Sequence, residues 1–135
     1  MTILVIDGQG GGIGKRLIET LAPKLPENIK LVAIGTNSIA TSVMLKAGAN
    51  AAATGENPVV INCADADIIA GPLGIILANA MYGEITPSMA QAVGASNAQK
   101  ILIPTEKCGV HVAGTQNMAL AQYIEDAVQS IITLI

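Results

Sequence analysis

The sequence lacks the residues on which several kinds of nucleic-acid-binding protein depend. It has no tryptophan and no phenylalanine, and Tyr82 and Tyr123 are its two tyrosines. It therefore offers no aromatic platform on which single-stranded bases could stack. Seven Lys and Arg stand against ten Asp and Glu, for a net charge of −3. Because the basic residues are scattered, no basic stripe is available, and no nucleic-acid partner is expected.

Cysteine and charge are also scarce. Cys63 and Cys108 have no spacing typical of a metal site or a disulfide framework, so we expect reduced thiols, no bound metal and a cytoplasmic location. Charged residues make up 13% and hydrophobic residues 51% of the chain, which excludes intrinsic disorder. The uncharged stretches are too interrupted for a membrane span. We expect a second copy of the chain to cover part of the apolar surface, as in a homo-oligomer such as a dimer.

Short apolar runs rich in β-branched residues alternate with helical periodicity along the chain. This pattern is typical of a parallel sheet buried on both faces, so we predict one doubly wound α/β domain over residues 1–135 with strand order 3-2-1-4-5. Strands are predicted at about 3–6, 31–34, 51–53, 67–70 and 100–103, with 110–113 as the candidate for a sixth. Helices are predicted at about 13–22, 37–46, 57–64, 73–81, 86–93 and from 120 onwards.

The segment most informative about function joins the first strand to the first helix. Glycines there allow backbone N–H groups to approach an anion, and the start of the helix adds partial positive charge. Lys15 and Arg16 fall in the first helical turn, where cations oppose the helix dipole unless a phosphate is bound. We therefore predict a nucleotide phosphate site formed by Asp7, Gly8, Gln9, Gly10, Gly11, Gly12, Ile13, Gly14 and Lys15. Purely structural glycines are the alternative.

The glycine spacing fits two known patterns. Gly8, Gly12 and Gly14, with Ile13, resemble the GxxxGIG turn of short-chain dehydrogenases and reductases, which implies NAD or NADP as cofactor. Neither tyrosine is followed by the Tyr-x-x-x-Lys of that family, so its catalysis is not implied. The stretch 10–16 also resembles the variant P-loop of ParA-type ATPases, but Gly10 and Arg16 replace its first Lys and its Mg²⁺-binding hydroxyl.

Two further turns are predicted to touch the same ligand. The second strand ends without an acid, at Thr36 and Asn37, which permits the 2′-phosphate of NADP, or another adenine nucleotide. These two residues serve equally well as a helix cap. Gly71 and Pro72 follow the fourth strand and would form the second lip of the crevice, or an ordinary strand-to-helix turn.

A few other polar residues could carry chemistry. Glu84 is the ionisable group nearest the predicted crevice on that side, although a solvated helix end explains it more simply. Cys108 and His111 could form a nucleophile and base or two metal ligands, but the pair lacks further ligands. Asp7 could hold a ribose hydroxyl, bridge through Mg²⁺, or pin the turn. Cys63 is predicted to be a core residue.

Over nearly its whole length the sequence resembles a family of small bacterial proteins of unknown function. The resemblance rests on the opening motif IDGQGGGIG at 6–14 and on the segments 67–72, 83–87 and 100–104. It implies a bacterial, cytosolic protein with a Rossmann-like fold, and it supplies no activity.

Three functions stay open at this point. The first is a nucleotide-binding module, for NAD(P) or an adenine nucleotide, that acts as a sensor, carrier or accessory subunit. The second is an NADP-linked oxidoreductase whose site is completed by a second copy, with Asp7, Glu84, Cys108 and His111 as candidate polar groups. The third is a structural or partner protein without nucleotide.

Overall fold

The structure, a computed structural model, describes residues 1–105 and 109–135. Five parallel strands form its sheet in the order β3-β2-β1-β4-β5. They are β1 (Thr2–Asp7), β2 (Lys30–Gly35), β3 (Ala51–Thr54), β4 (Ile68–Pro72) and β5 (Gln99–Ile103). The predicted strand order is confirmed, and so is the doubly wound, Rossmann-like α/β class.

Within the described residues, five α-helices cover the two faces of the sheet. They are α1 (Gly12–Leu21), α2 (Ser38–Lys46), α3 (Glu56–Asp65), α4 (Pro87–Ala95) and α5 (Leu120–Leu134), with single 3₁₀ turns at Ala22–Lys24 and Leu73–Ile76. Side chains cap the N-termini of α2 and α4. Asn37 accepts a hydrogen bond from the N–H of Ala40 at 2.9 Å, and Thr86 accepts one from the N–H of Met89 at 3.2 Å.

The core consists of two layers separated by the sheet. Side chains of β1 alternate between them: Ile3 and Val5 pack with α1, α2 and α5, while Leu4 and Ile6 pack with α3 and α4. Since β1 is buried on both sides, its apolar run has no polar positions. Among the described residues, no helix has the length and apolar composition that a bilayer crossing requires.

One predicted helix is wrong, and one candidate strand is absent from the described residues. The predicted helix at 73–81 stops after the turn Leu73–Ile76, because Asn79, Met81 and Tyr82 adopt left-handed backbone with φ of 66°, 57° and 56°. These residues turn the chain back so that Ile85 becomes fully buried. Burial of Ile85 thus outweighs the helix propensity of the segment.

The candidate sixth strand at 110–113 is also absent from the described part of the chain, where the sheet has five strands. Residues 111–113 are exposed and lie in the connection between β5 and α5. The run Val110-His111-Val112-Ala113 has β-branched residues, but no neighbouring strand pairs with it.

Candidate functional site

A cleft of about 1460 Å³ lies at the carboxyl ends of β1 and β4. The chain leaves β1 towards β2 and later returns to β4 on the other side, so this is the point where the strand order reverses and where such folds bind ligands. The glycine loop, which we define as residues 8–14, forms one wall. Residues 72–82 form the opposite wall, and Thr105, Val110 and Leu120 contribute from the far side.

The structure brings eight of the predicted binding residues together in the cleft. They are Asp7, Gly8, Gln9, Gly10, Gly11, Gly12, Ile13 and Pro72. Arg16, which was not among the predicted binding residues, lies in the cleft as well. Helix periodicity could have indicated Arg16. It follows Gly12 by four residues and Ile13 by three, so it lies on the same side of α1 as these two.

The other predicted binding residues lie outside the cleft. Lys15 is exposed, with its Nζ 3.7 Å from Oε1 of Glu19. Gly14, the last residue of the glycine loop, is buried in α1, and Gly71 is buried in β4. Thr36 and Asn37 form hydrogen bonds to Glu84, so Asn37 both caps α2 and contacts the β4–α4 connection.

Asp7 holds the glycine loop from below. Its carboxylate accepts the N–H of Gly8 at 2.7 Å and the N–H of Gly14 at 2.8 Å. Burial raises the pKa of Asp7, hydrogen bonds from Gly14, Gly8 and Ile13 oppose that rise, and the charge of Glu84 adds to it. Asp7 is 4% exposed, so its carboxyl group lies inside the protein at the start of α1.

Two backbone donors remain available on the cleft side of the loop. The N–H groups of Gly10 and Gly12 have no acceptor within the described part of the chain, whereas the N–H of Gly11 donates to the carbonyl of Gly8 at 2.9 Å. Position 11 requires glycine, because its φ is 71° and a Cβ would lie 2.8 Å from Cα of Ala40. At Gly10 and Gly12, by contrast, a Cβ would meet nothing within 4 Å.

Glu84 joins three segments at the edge of the cleft. Its Oε1 accepts the N–H of Gln9 at 3.0 Å, the hydroxyl of Thr36 at 2.7 Å and Nδ2 of Asn37 at 2.7 Å. We call this set of contacts the Glu84 bridge. Burial alone would raise the pKa of Glu84, but the three hydrogen bonds outweigh it and the pKa is lowered. Sequence reasoning missed this role, because no local pattern links position 84 to positions 9, 36 and 37.

The segment that carries Glu84 is strained and presents one large exposed side chain. Met81 and Tyr82 are consecutive non-glycine residues in left-handed backbone, which costs of order 1–3 kcal/mol each. The Met81 side chain lies against Gly8, where a Cβ would be 2.7 Å from its Sδ. Tyr82 lines the cleft and is fully exposed. The contacts of Met81 with Gly8 and of Glu84 with Gln9, Thr36 and Asn37 hold this strained segment in place.

The chemistry available in the cleft is that of anion binding. Its titratable groups, within the described residues, are Asp7, Arg16 and Tyr82. No cluster of three metal-ligating side chains occurs in residues 1–105 and 109–135. Arg16 and two free N–H groups can hold a phosphate, whereas no nucleophile with a neighbouring base lines the cleft in that part of the chain.

The remaining candidates lie away from this cleft. His111 is exposed and lines a second cleft of about 330 Å³ between the β5–α5 connection and Tyr123. Cys108 falls outside the described residues. Cys63 is buried in the core as predicted, and burial raises the pKa of its thiol to about 11, with Lys100 acting in the opposite direction.

Comparisons with known proteins agree with the fold and leave the activity undefined. A family model described as a domain of unknown function (DUF3842) matches residues 2–135. No curated protein matches the chain. Among solved structures, it is similar to a dodecameric FMN-dependent UbiX-like decarboxylase from Escherichia coli O157:H7. The TM-score is 0.54 at 13% identity, over 99% of this chain and 94% of the other.

Proposed function

The chain belongs to the DUF3842 family, and we propose that it binds a nucleotide-type cofactor whose phosphate lies on the glycine loop. The observation that carries this proposal is the meeting of three donors in one cleft: the guanidinium of Arg16 and the N–H groups of Gly10 and Gly12, which have no acceptor among residues 1–105 and 109–135. All three lie at the start of α1, where the helix dipole favours negative charge.

The buried carboxyl group of Asp7 does not prevent phosphate binding at this place. It takes the N–H groups on the inner side of the loop and leaves those of Gly10 and Gly12. Arg16 adds a positive charge to the cleft, and its planar guanidinium can donate two hydrogen bonds to one phosphate. The phosphate would therefore contact the outer side of the loop.

The rest of the cleft supports a ligand with an apolar ring. Beyond the glycine loop, the facing wall consists mainly of Ile76, Leu77, Ala78 and Ala80, and apolar walls with few polar groups are usual for cofactor pockets. The similar solved structure is of an FMN-dependent protein, so we propose FMN as the first candidate, ahead of the adenine nucleotides and NAD(P). Because the cleft lacks a nucleophile and base within the described residues, we propose a binding role, as sensor, carrier or accessory subunit.

Calorimetric titration with FMN, and separately with riboflavin, tests the proposal. Riboflavin lacks the phosphate, so we expect it to bind at least about tenfold more weakly than FMN, since hydrogen bonds between charged groups contribute about 1.5–3 kcal/mol each. AMP and NADP are titrated in parallel. If none of these nucleotides binds, the proposal is wrong.

Two matched pairs of variants test whether the nucleotide binds in this cleft. Arg16→Gln should weaken FMN binding about tenfold or more, whereas Lys15→Gln makes the same charge change outside the cleft and should leave it within about twofold. Gly12→Asp should abolish binding by placing a carboxylate in the phosphate site, and Gly94→Asp is its control, since both positions have room for a side chain. Unchanged binding in both cleft variants would show that the nucleotide binds elsewhere.

We further propose that the chain forms a homo-oligomer. Large apolar side chains are exposed on both sides of the sheet, at Ile39 and Leu45 of α2 on one side and at Ile61 of α3 on the other, and the similar solved structure is described as dodecameric. Size-exclusion chromatography with light scattering should give a mass that is a multiple of 13.7 kDa. A monomer at all concentrations would contradict this.

A further inference from the structure

Doubly wound folds that bind dinucleotides place the second nucleoside over the end of β2. A ribose hydroxyl there is usually bound by an acid at the end of that strand. In this chain the residues at the end of β2 are Thr36 and Asn37, and the acid that meets them is Glu84, from the connection between β4 and α4. The position of the second ribose is thus taken by a side chain of the protein itself.

The contacts around Glu84 connect the segments that follow β1 and β2. The Nδ2 of Asn37 donates to the carbonyl of Gln9 at 2.9 Å, in addition to its bond with Glu84. A Cβ on Gly8 would lie 2.6 Å from Oγ1 of Thr36 and 2.7 Å from Sδ of Met81. The side chains of Thr36 and Met81 therefore pack directly against Gly8 on this side of the glycine loop.

The opposite side of the loop is free. A Cβ placed on Gly10 or Gly12 would meet no atom within 4 Å, and the cleft continues from these residues towards β4. A ligand whose phosphate lies on the loop can therefore extend in one direction, towards the apolar wall at Ile76 and Leu77. The carboxylate of Glu84 would repel a second phosphate on the closed side.

We infer that the Glu84 bridge limits the ligand to a mononucleotide and excludes dinucleotides such as FAD and NAD(P). This inference rests on the proposed function and deepens it, because it names which nucleotides the same site accepts. It makes Glu84 a specificity-determining residue that acts by occupying the second half of the crevice.

FMN and FAD form the sharpest pair of probes, because FAD is FMN extended by AMP. For the wild-type protein we expect FMN to bind at least about tenfold more tightly than FAD, as measured by calorimetry. Glu84→Ala removes the acceptor of the bridge and should reduce that ratio to less than about threefold. Glu84→Gln keeps an acceptor of the same reach and should retain most of the discrimination. Glu27→Ala removes an exposed carboxylate elsewhere and should leave the ratio unchanged.

The outcomes separate this inference from the proposed function. Equal affinity of the wild-type protein for FMN and FAD would overturn the inference and leave nucleotide binding intact, and this comparison needs no variant. A folded Glu84→Ala protein, checked by thermal unfolding, that keeps the wild-type ratio would show that Glu84 does not determine it. Failure of FMN, AMP and NADP alike to bind would overturn the proposed function and this inference with it.

Discussion

Replacing Asp7 by Asn should destabilise the protein through the glycine loop. Both carboxylate oxygens are in use, one by the N–H of Gly8 and one by that of Gly14. An Asn side chain offers one oxygen and one NH₂ group, so one of these N–H groups would face a donor. Asp7→Asn changes neither side-chain size nor backbone, and the effect can therefore be assigned to the hydrogen bonds and the charge.

Three contributions set the magnitude. A buried N–H left without an acceptor costs about 1–3 kcal/mol. Loss of negative charge at the start of α1 adds about 0.3–1 kcal/mol, and up to about 2 kcal/mol in buried geometry. Burial of the carboxylate is itself unfavourable, as the raised pKa of Asp7 indicates. Asn carries no charge and avoids this cost, which offsets part of the loss. We expect a net loss of about 2 kcal/mol in the free energy of unfolding.

The pH dependence gives a second, independent check. Burial raises the pKa of Asp7 in the folded protein above its ordinary value of 3.8. At pH values between 3.8 and the raised pKa, Asp7 therefore holds its proton in the folded protein and has lost it in the unfolded chain. The contribution of Asp7 to the free energy of unfolding is fully present below pH 3.8 and is lost as the pH rises through the raised pKa. Asp7→Asn does not titrate, so the advantage of the wild type should shrink with rising pH. Glu84 is present in both proteins and largely cancels in the difference.

Urea unfolding followed by circular dichroism at a series of pH values measures both effects. Asp67→Asn is the matched control, since Asp67 also accepts a backbone N–H, from Thr2 at 2.7 Å, but is exposed; it should change stability by less than about 0.5 kcal/mol. The reasoning is refuted if Asp7→Asn is as stable as the wild type, or if the advantage of the wild type grows as the pH rises.

Two other predictions concern the loop and the core. Gly11→Ala should cost about 2 kcal/mol or more, because a φ of 71° is strained for alanine and its Cβ would approach Ala40, whereas Gly12→Ala should be neutral or slightly stabilising; equal melting temperatures would contradict this. Ile131→Ala on the buried face of α5 should cost about 2–5 kcal/mol, and Leu134→Ala on the same helix, at 42% exposure, less than about 0.5 kcal/mol. Chemical denaturation measures both variants, and similar losses would refute the assignment of the core.

The sequence predicted the strand order and most element bounds because burial on both faces leaves a strong local signal. β1 and β2 each contain an uninterrupted apolar run, at 3–6 and 31–34, and Asn37 and Thr86 are caps that can be read without a structure. The segment 73–81 was misread because its apolar residues suit a helix, while long-range burial of Ile85 decides its path. The glycine loop was predictable from spacing, whereas the Glu84 bridge depends on contacts between distant positions.

The Glu84 bridge also has a consequence for the kinetics of unfolding. It joins residues 75, 48 and 47 positions apart along the chain, and parallel strands become neighbours only after each helical crossover has closed. These contacts should therefore form after the rate-limiting step of folding. Stabilising contacts that are absent from the transition state slow unfolding and leave the folding rate nearly unchanged. Glu84, for which we propose a role in ligand selection, should therefore also lengthen the lifetime of the native state.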